Sequence, residues 1–223
     1  MIMDDEILLI DKPAGMTSFG VVARVRRLLS QRAGGRVKVG HTGTLDPFAT
    51  GLMILLVGKG TKRSNEFLKL DKVYEAEIIL GETSTTGDPE GEITKTSNRT
   101  DEITKAGLEA ALAQFTGEIQ QIPPAFSAIK INGQRAYKLA RKGEEVIMPA
   151  RTVTVYSLEL VEYSYPVVKI RAHVSSGTYI RTLAEDIGQT LGVGAYCREL
   201  RRTKVGDYAI EQAASLNDLG ITS

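Results

Sequence analysis

Residues 40–57 read Gly40-His41-Thr42-Gly43-Thr44-Leu45-Asp46-Pro47-Phe48-Ala49-Thr50-Gly51-Leu52-Met53-Ile54-Leu55-Leu56-Val57, a glycine-punctuated segment that runs directly into six apolar residues. The run Leu52–Val57 has the length of a strand and no polar alternation, so it predicts a strand covered on both faces. Gly40, Gly43 and Gly51 allow unusual backbone angles and the close approach of another molecule in the loop before it. A strand buried on both faces needs further strands beside it and helices or loops over it, and both are legible on either side.

Upstream, Ile7-Leu8-Leu9-Ile10 predicts a short buried strand stopped by Lys12-Pro13-Ala14-Gly15. Thr17 or Ser18 can then cap a helix with Val21, Val22, Val25, Leu28 and Leu29 on one face, ended by Gly34-Gly35. Downstream, Tyr74, Ala76, Ile78 and Leu80 alternate, which aims Tyr74 with the apolar set. The acidic, turn-rich stretch from Gly81 to Asn98 predicts an exposed loop or hairpin. Residues 104–115 predict a helix buried through Leu108, Ala111, Leu112 and Phe115. Pro123-Pro124 forces an extended entry to Phe126-Ser127-Ala128-Ile129-Lys130, and a short helix over 134–142 stops at Gly143. Strands are expected over 153–162 and 167–174, followed by a helix opened by Gly177-Thr178 with Ile180, Leu183, Ala184, Ile187 and Leu191 on one side. These elements predict an α+β fold: a largely antiparallel mixed sheet flanked by helices and loops.

A hydrophobic content of 42% with 25% charged residues belongs to a folded chain and excludes a disordered one. No apolar run approaches the roughly 20 residues that span a bilayer, and the opening Met-Ile-Met-Asp-Asp-Glu has no basic region or apolar stretch of a signal peptide. The single cysteine, Cys197, precludes an internal disulfide framework and suits a reducing compartment. A soluble, cytoplasmic protein is expected. The net charge of +1 conceals segregation: residues 1–70 balance at +5, residues 71–128 at −7 and residues 129–223 at +3. Arg24, Arg26 and Arg27 form one basic cluster, and Arg198, Arg201, Arg202 and Lys204 a second. They are read either as solvated faces or as phosphate contacts for a nucleic acid.

His41 and His173 are the only histidines, and no cluster has zinc-ligand spacing, so no metal is expected. Gly58-Lys59-Gly60-Thr61 lacks the rest of a phosphate loop, and no dinucleotide fingerprint occurs, so no nucleotide cofactor is expected. The densest segment is His41–Gly51. Asp46, before Pro47, is either a reacting carboxylate or ordinary turn chemistry bonded to local amides. Arg181 falls in the first turn of a helix, against the macrodipole, so an anion such as Asp46 or a phosphate should compensate it unless it extends into solvent. Leu200-Arg201-Arg202-Thr203 reads as phosphate-capable arginines or as a strand with a charged outer face.

Taken together, the segments resemble the TruB family, the tRNA pseudouridine-55 synthases of bacteria. The resemblance runs from Ile7 to Gly206. Lys12-Pro-x-Gly-x-Thr-Ser18 resembles that family's first motif, and His41-x-Gly-Thr-Leu-Asp-Pro-x-Ala-x-Gly51 its catalytic-aspartate motif. Lys72-x-Tyr74, Thr83-x-Thr-x-Gly-Asp88, Pro123-Pro-x-Phe-Ser-Ala-x-Lys130, Ser176-Gly-Thr-Tyr-Ile-Arg181 and Leu200-Arg-Arg-Thr203 support it, in order.

The resemblance implies a pseudouridine-synthase-like catalytic domain over 1–223, without a C-terminal PUA domain, acting as a monomer on the T stem-loop of tRNA. It implies that Asp46 is the essential carboxylate, paired with Arg181. Tyr74 stacks on a flipped uracil and assists proton transfer; Tyr179 and Leu200 line the pocket; His41 stacks on T-loop bases. Isomerisation breaks N1–C1′ and joins C5 to C1′, so substrate and product have one composition and neither metal nor redox cofactor is called for. The competing reading is a tRNA-binding folding chaperone with secondary catalysis, against which Asp46, Tyr74 and Arg181 argue; a metal-dependent nuclease lacks its ligand clusters.

Overall fold

The computed structural model describes residues 7–96, 103–127, 129–131, 133–144 and 146–221. The chain opens with β1 (Ile7–Lys12), α1 (Ser18–Ala33), β2 (Val39–His41), β3 (Thr50–Val57), α2 (Ser64–Leu68) and β4 (Lys72–Leu80). It continues through β5 (Glu82–Ser84), β6 (Ile93–Lys95), α3 (Lys105–Ala113), β7 (Gly117–Gln121), β8 (Lys130–Ile131), β9 (Gln134–Arg135) and α4 (Ala136–Ala140). The last elements are β10 (Arg151–Ser164), β11 (Val167–Val174), α5 (Ile180–Thr190), β12 (Ala195–Val205), β13 (Tyr208–Ala209) and β14 (Ala214–Ser215). Internal contacts group them into two compact units, residues 1–74 with 201–223 and residues 75–200.

In the first unit β3 is the centre, as its unbroken apolar run predicts. Every residue from Gly51 to Val57 is buried. β1 pairs antiparallel with it (Ile10 opposite Met53), β2 antiparallel on the other side (Val39 opposite Val57), and the end of β12 parallel. β14 lies parallel to β1, and β13 turns back on β12. The period of two sorts β3: Leu52, Ile54 and Leu56 share a cluster with Phe67 of α2 and Val205 of β12. Each such aliphatic side chain contributes about 1.5–3 kcal/mol when fully buried. α1 begins where the sequence places it. The Thr17 hydroxyl accepts from the Gly20 amide (3.0 Å), a cap that contributes about 1 kcal/mol. Gly34 ends it in the left-handed conformation, φ +63°.

In the second unit β10 and β11 form a long antiparallel hairpin (Val155 opposite Val174), with β7 on its outer edge (Val153 opposite Ile119). Next to β11 come β4 and then β12. The core is built from Ile78, Val153, Val155, Val168, Ile170 and Val174, with Leu108 and Leu112 of α3 and Leu183 and Ile187 of α5. The stretch expected as an exposed loop or hairpin is a hairpin, with Glu82 opposite Lys95. Its turn is not solvated throughout, however: Ser84 and Asp88 are buried. Ser97 and Asn98 of that stretch, and Ala128 of the Pro-Pro motif, lie outside the described residues. Parallel pairs at β1/β14 and β3/β12 among antiparallel neighbours make the α+β, mixed-sheet expectation correct.

Candidate active site

Asp46 lies half-buried in the loop between β2 and β3, in the first unit. Both of its chain neighbours are held. The Ser18 hydroxyl donates to the Leu45 carbonyl and accepts from the Leu45 amide, each at 2.8 Å. On the other side the Pro47 carbonyl accepts from the Gly15 amide (2.8 Å) and from the Lys12 ammonium (3.1 Å). Lys12 is 0% exposed, and its Nζ also donates to the carbonyls of Pro13 (2.8 Å) and Met16 (2.7 Å). Three donors meet three carbonyls, which is how a buried ammonium is tolerated. The segment Lys12–Ser18 is therefore a clamp: its strand end, turn and helix start grip the backbone on either side of Asp46. The Ala49 amide closes the turn on the Asp46 carbonyl (3.2 Å).

His41, the last residue of β2, is half-buried, and its Nδ1 accepts from the Gly43 amide at 3.4 Å. Tyr74 stands on β4 with its ring buried, on the face shared with Ala76 and Ile78, as the alternation predicts. Two residues before it, the Lys72 ammonium is buried and donates to the Leu68 carbonyl (2.8 Å) and to that of Leu70. Burial, then the charge of Arg202, lower its pKa to about 8, with Asp71 opposing.

The second unit holds Arg181, Tyr179 and Leu200. Arg181, in the first turn of α5, is 3% exposed. An anion compensates it, as the helix dipole requires: Nη1 donates to Asp88 Oδ2 (3.0 Å) and to the Thr86 carbonyl (2.6 Å), and Nη2 to the Phe126 carbonyl (2.8 Å). Asp88 is held in turn, Oδ1 accepting from the Thr86 hydroxyl (2.6 Å) and the Glu90 amide (3.0 Å). Nearby, burial raises the Glu185 carboxyl, with the Arg181 charge opposing. The Gln121 side chain pairs with Tyr179 as a strand would: its amide donates to the Tyr179 carbonyl (3.0 Å) and its oxygen accepts from the Tyr179 amide (2.7 Å). The Arg151 guanidinium carbon lies 5.8 Å from the Tyr179 ring centroid. Leu200 is buried on β12.

The sequence reading missed Lys12, Ser18, Asp88 and Gln121 as holders of these residues. Three of them stand in motifs, but nothing local announces what they hold. The second arginine cluster needs correcting. Arg201 pairs with both oxygens of Asp11 (3.1 and 2.7 Å), Arg198 pairs with Glu77, and Arg202 is 2% exposed. Lys204 of the second cluster is exposed, as are Arg24 and Arg27 of the first. Among the described residues, no group of three or more His, Cys, Asp or Glu side chains is arranged to hold a metal, and no helix is long and apolar enough to cross a membrane.

Comparison with known proteins bears directly on this arrangement. The model of the TruB family pseudouridylate synthase N-terminal domain matches residues 26–180, and that of the tRNA pseudouridylate synthase B C-terminal domain matches residues 181–221. The chain is 47% identical over 225 residues to the tRNA pseudouridine synthase B of Thermobifida fusca, covering 97% of this chain and 75% of that protein. It is 48% identical over 214 residues to the tRNA pseudouridine synthase B of Phocaeicola vulgatus, covering 96% and 91%. Among solved structures it is similar to the crystal structure of a Cbf5-Nop10-Gar1 complex, with a TM-score of 0.71 and 31% identity over 95% of this chain. The match covers 52% of that chain, so this protein spans about half its length. The fold class is that of the pseudouridine synthases. Within that class, the chain belongs to the TruB family.

Proposed function

We propose that this protein isomerises uridine 55 in the T loop of tRNA to pseudouridine, with Asp46 as the reacting carboxylate. The observation that carries the reading is the grip on Leu45 and Pro47, which holds the backbone on both sides of Asp46 through Ser18, Gly15 and Lys12. Carboxylate chemistry at a glycosidic carbon depends on such pre-set geometry. The target base leaves the stack, the N1–C1′ bond breaks, the uracil turns, C5 joins C1′, the C5 proton leaves to a base and N1 takes up a proton. In this reading Tyr74 stacks on the uracil and assists the proton transfer. Tyr179 and Leu200 line its pocket, and His41 stacks on bases of the loop. In the same reading Arg181 is the residue that pairs with Asp46. The partner is a T stem-loop, read through its splayed bases and positioned by phosphate contacts.

The test uses RNA carrying tritium at uridine C5, because that hydrogen leaves when C5 becomes the glycosidic carbon. Wild-type protein should release one tritium per tRNA from the T loop, and Asp46→Asn none, with RNA affinity kept. Release by Asp46→Asn at a substantial fraction of the wild-type rate would remove Asp46 from its role.

A further inference from the structure

We propose that Arg202 is a positioning residue for Asp46: its buried guanidinium ties together the two feet of the Asp46 loop, setting the rate of the chemical step and leaving RNA affinity alone. The inference rests on the reading of Asp46 as the reacting carboxylate.

β12 runs parallel to β3 with Arg202 opposite Gly51. Gly51 has φ +106°, and a Cβ there would stand 2.3 Å from the Arg202 carbonyl oxygen and 2.7 Å from its nitrogen. Glycine is thus the residue that lets the two backbones come so close. The approach carries the Arg202 side chain beneath the loop. Nε donates to the Leu52 carbonyl at 2.8 Å, and Nη2 donates to the Gly43 carbonyl at 3.1 Å. Gly43 is where the loop leaves β2, and Leu52 is where it has entered β3; Asp46 lies between them. One rigid, planar group therefore sets the distance between entry and exit. An ammonium on a flexible stem has no fixed spacing between its donors.

Burial makes the assignment specific. A guanidinium that is 2% exposed cannot serve as a phosphate contact, and burying a cation costs several kcal/mol unless it is hydrogen-bonded. An apolar side chain would fill the same space without that cost. What only arginine supplies is the two-carbonyl span. Its charge is felt nearby: after burial, it is the next cause of the lowered Lys72 pKa. The flanks of Asp46 are held by Ser18, Gly15 and Lys12, and the feet by Arg202, so the two supports are separable by mutation.

The experiment compares wild type, Arg202→Lys and Arg202→Met in single turnover at saturating T stem-loop RNA, with Kd and amide hydrogen exchange measured in parallel. Arg202→Lys keeps the charge and loses the span. A displacement of about 1 Å costs on the order of a hundredfold at such sites. The rate should therefore fall by tenfold or more, with Kd within threefold and faster exchange over residues 45–49. Arg202→Met fills the same space and donates to neither carbonyl. It should slow the reaction at least threefold with Kd unchanged, and it decides the matter if Arg202→Lys does not fold. A smaller loss in the deciding variant, or a loss accounted for by Kd, overturns the proposal, as does unchanged exchange over residues 45–49. Wild-type protein that forms no pseudouridine would instead remove the proposed function, and the exchange measurement would still judge the strut.

Discussion

Asp46 depends on residues that carry no chemistry of their own. Lys12 and Ser18 spend their polar atoms on backbone groups beside it, so the carboxylate starts from a fixed chain. Asp46→Glu should consequently lose most of the activity in the tritium-release assay, since one extra methylene moves the oxygens by more than the site tolerates. Activity near wild type in that variant would mean that the loop adapts and the grip is incidental. Lys72 offers a test in stability. Its pKa is about 8 in the folded chain against 10.5 ordinarily. Between these values the unfolded chain holds the proton that the folded chain has lost, so stability rises with pH across that window; below about 8 both forms are protonated and the cost of the buried charge is fully present. The stability difference between wild type and Lys72→Met, from urea unfolding at pH 7.5 to 10, should shift towards wild type as pH rises. A flat difference would contradict a buried cation there.

At the scale of elements, what the sequence makes visible is what local pattern controls. The run Leu52–Val57 and the capped helix after Thr17 are read correctly because burial and capping act within a few residues. β7 has a single apolar residue, Ile119, among Gly117, Glu118, Gln120 and Gln121, and its pairing with β10 is invisible to periodicity. β12 reads as charged, yet it buries Arg202 because its partners are carbonyls 150 and 159 positions away. The same holds for the hairpin turn before β6. Its acidic composition suggests solvent, whereas Asp88 is buried against Arg181, 93 positions along the chain. The motif that contains Asp88 is legible, but its partner is not. Asp88→Asn should cost about 3 kcal/mol in chemical denaturation, because it breaks a buried ion pair with the Arg181 guanidinium. A loss below about 1 kcal/mol would show that the other partners of Arg181 suffice.

For the molecule as a whole, charge segregation was the first sign of a nucleic-acid partner, and the structure redistributes it. Arg201 is held by Asp11 and Arg202 is buried, whereas Arg24 and Arg27 of α1 are exposed, and we propose that these two contact phosphate. Arg24→Ala or Arg27→Ala should each shallow the slope of log K against log salt by about one unit, while Arg202→Lys leaves the slope unchanged. Equal slopes for all variants would place the phosphate contacts elsewhere. A single isomerisation that requires Asp46 is tested by incubating the protein with unmodified tRNA transcript and mapping pseudouridine at nucleotide resolution. One new pseudouridine should appear, at position 55 in the T loop, and none with Asp46→Asn. Modification at another position only, or at position 55 by Asp46→Asn, would contradict it.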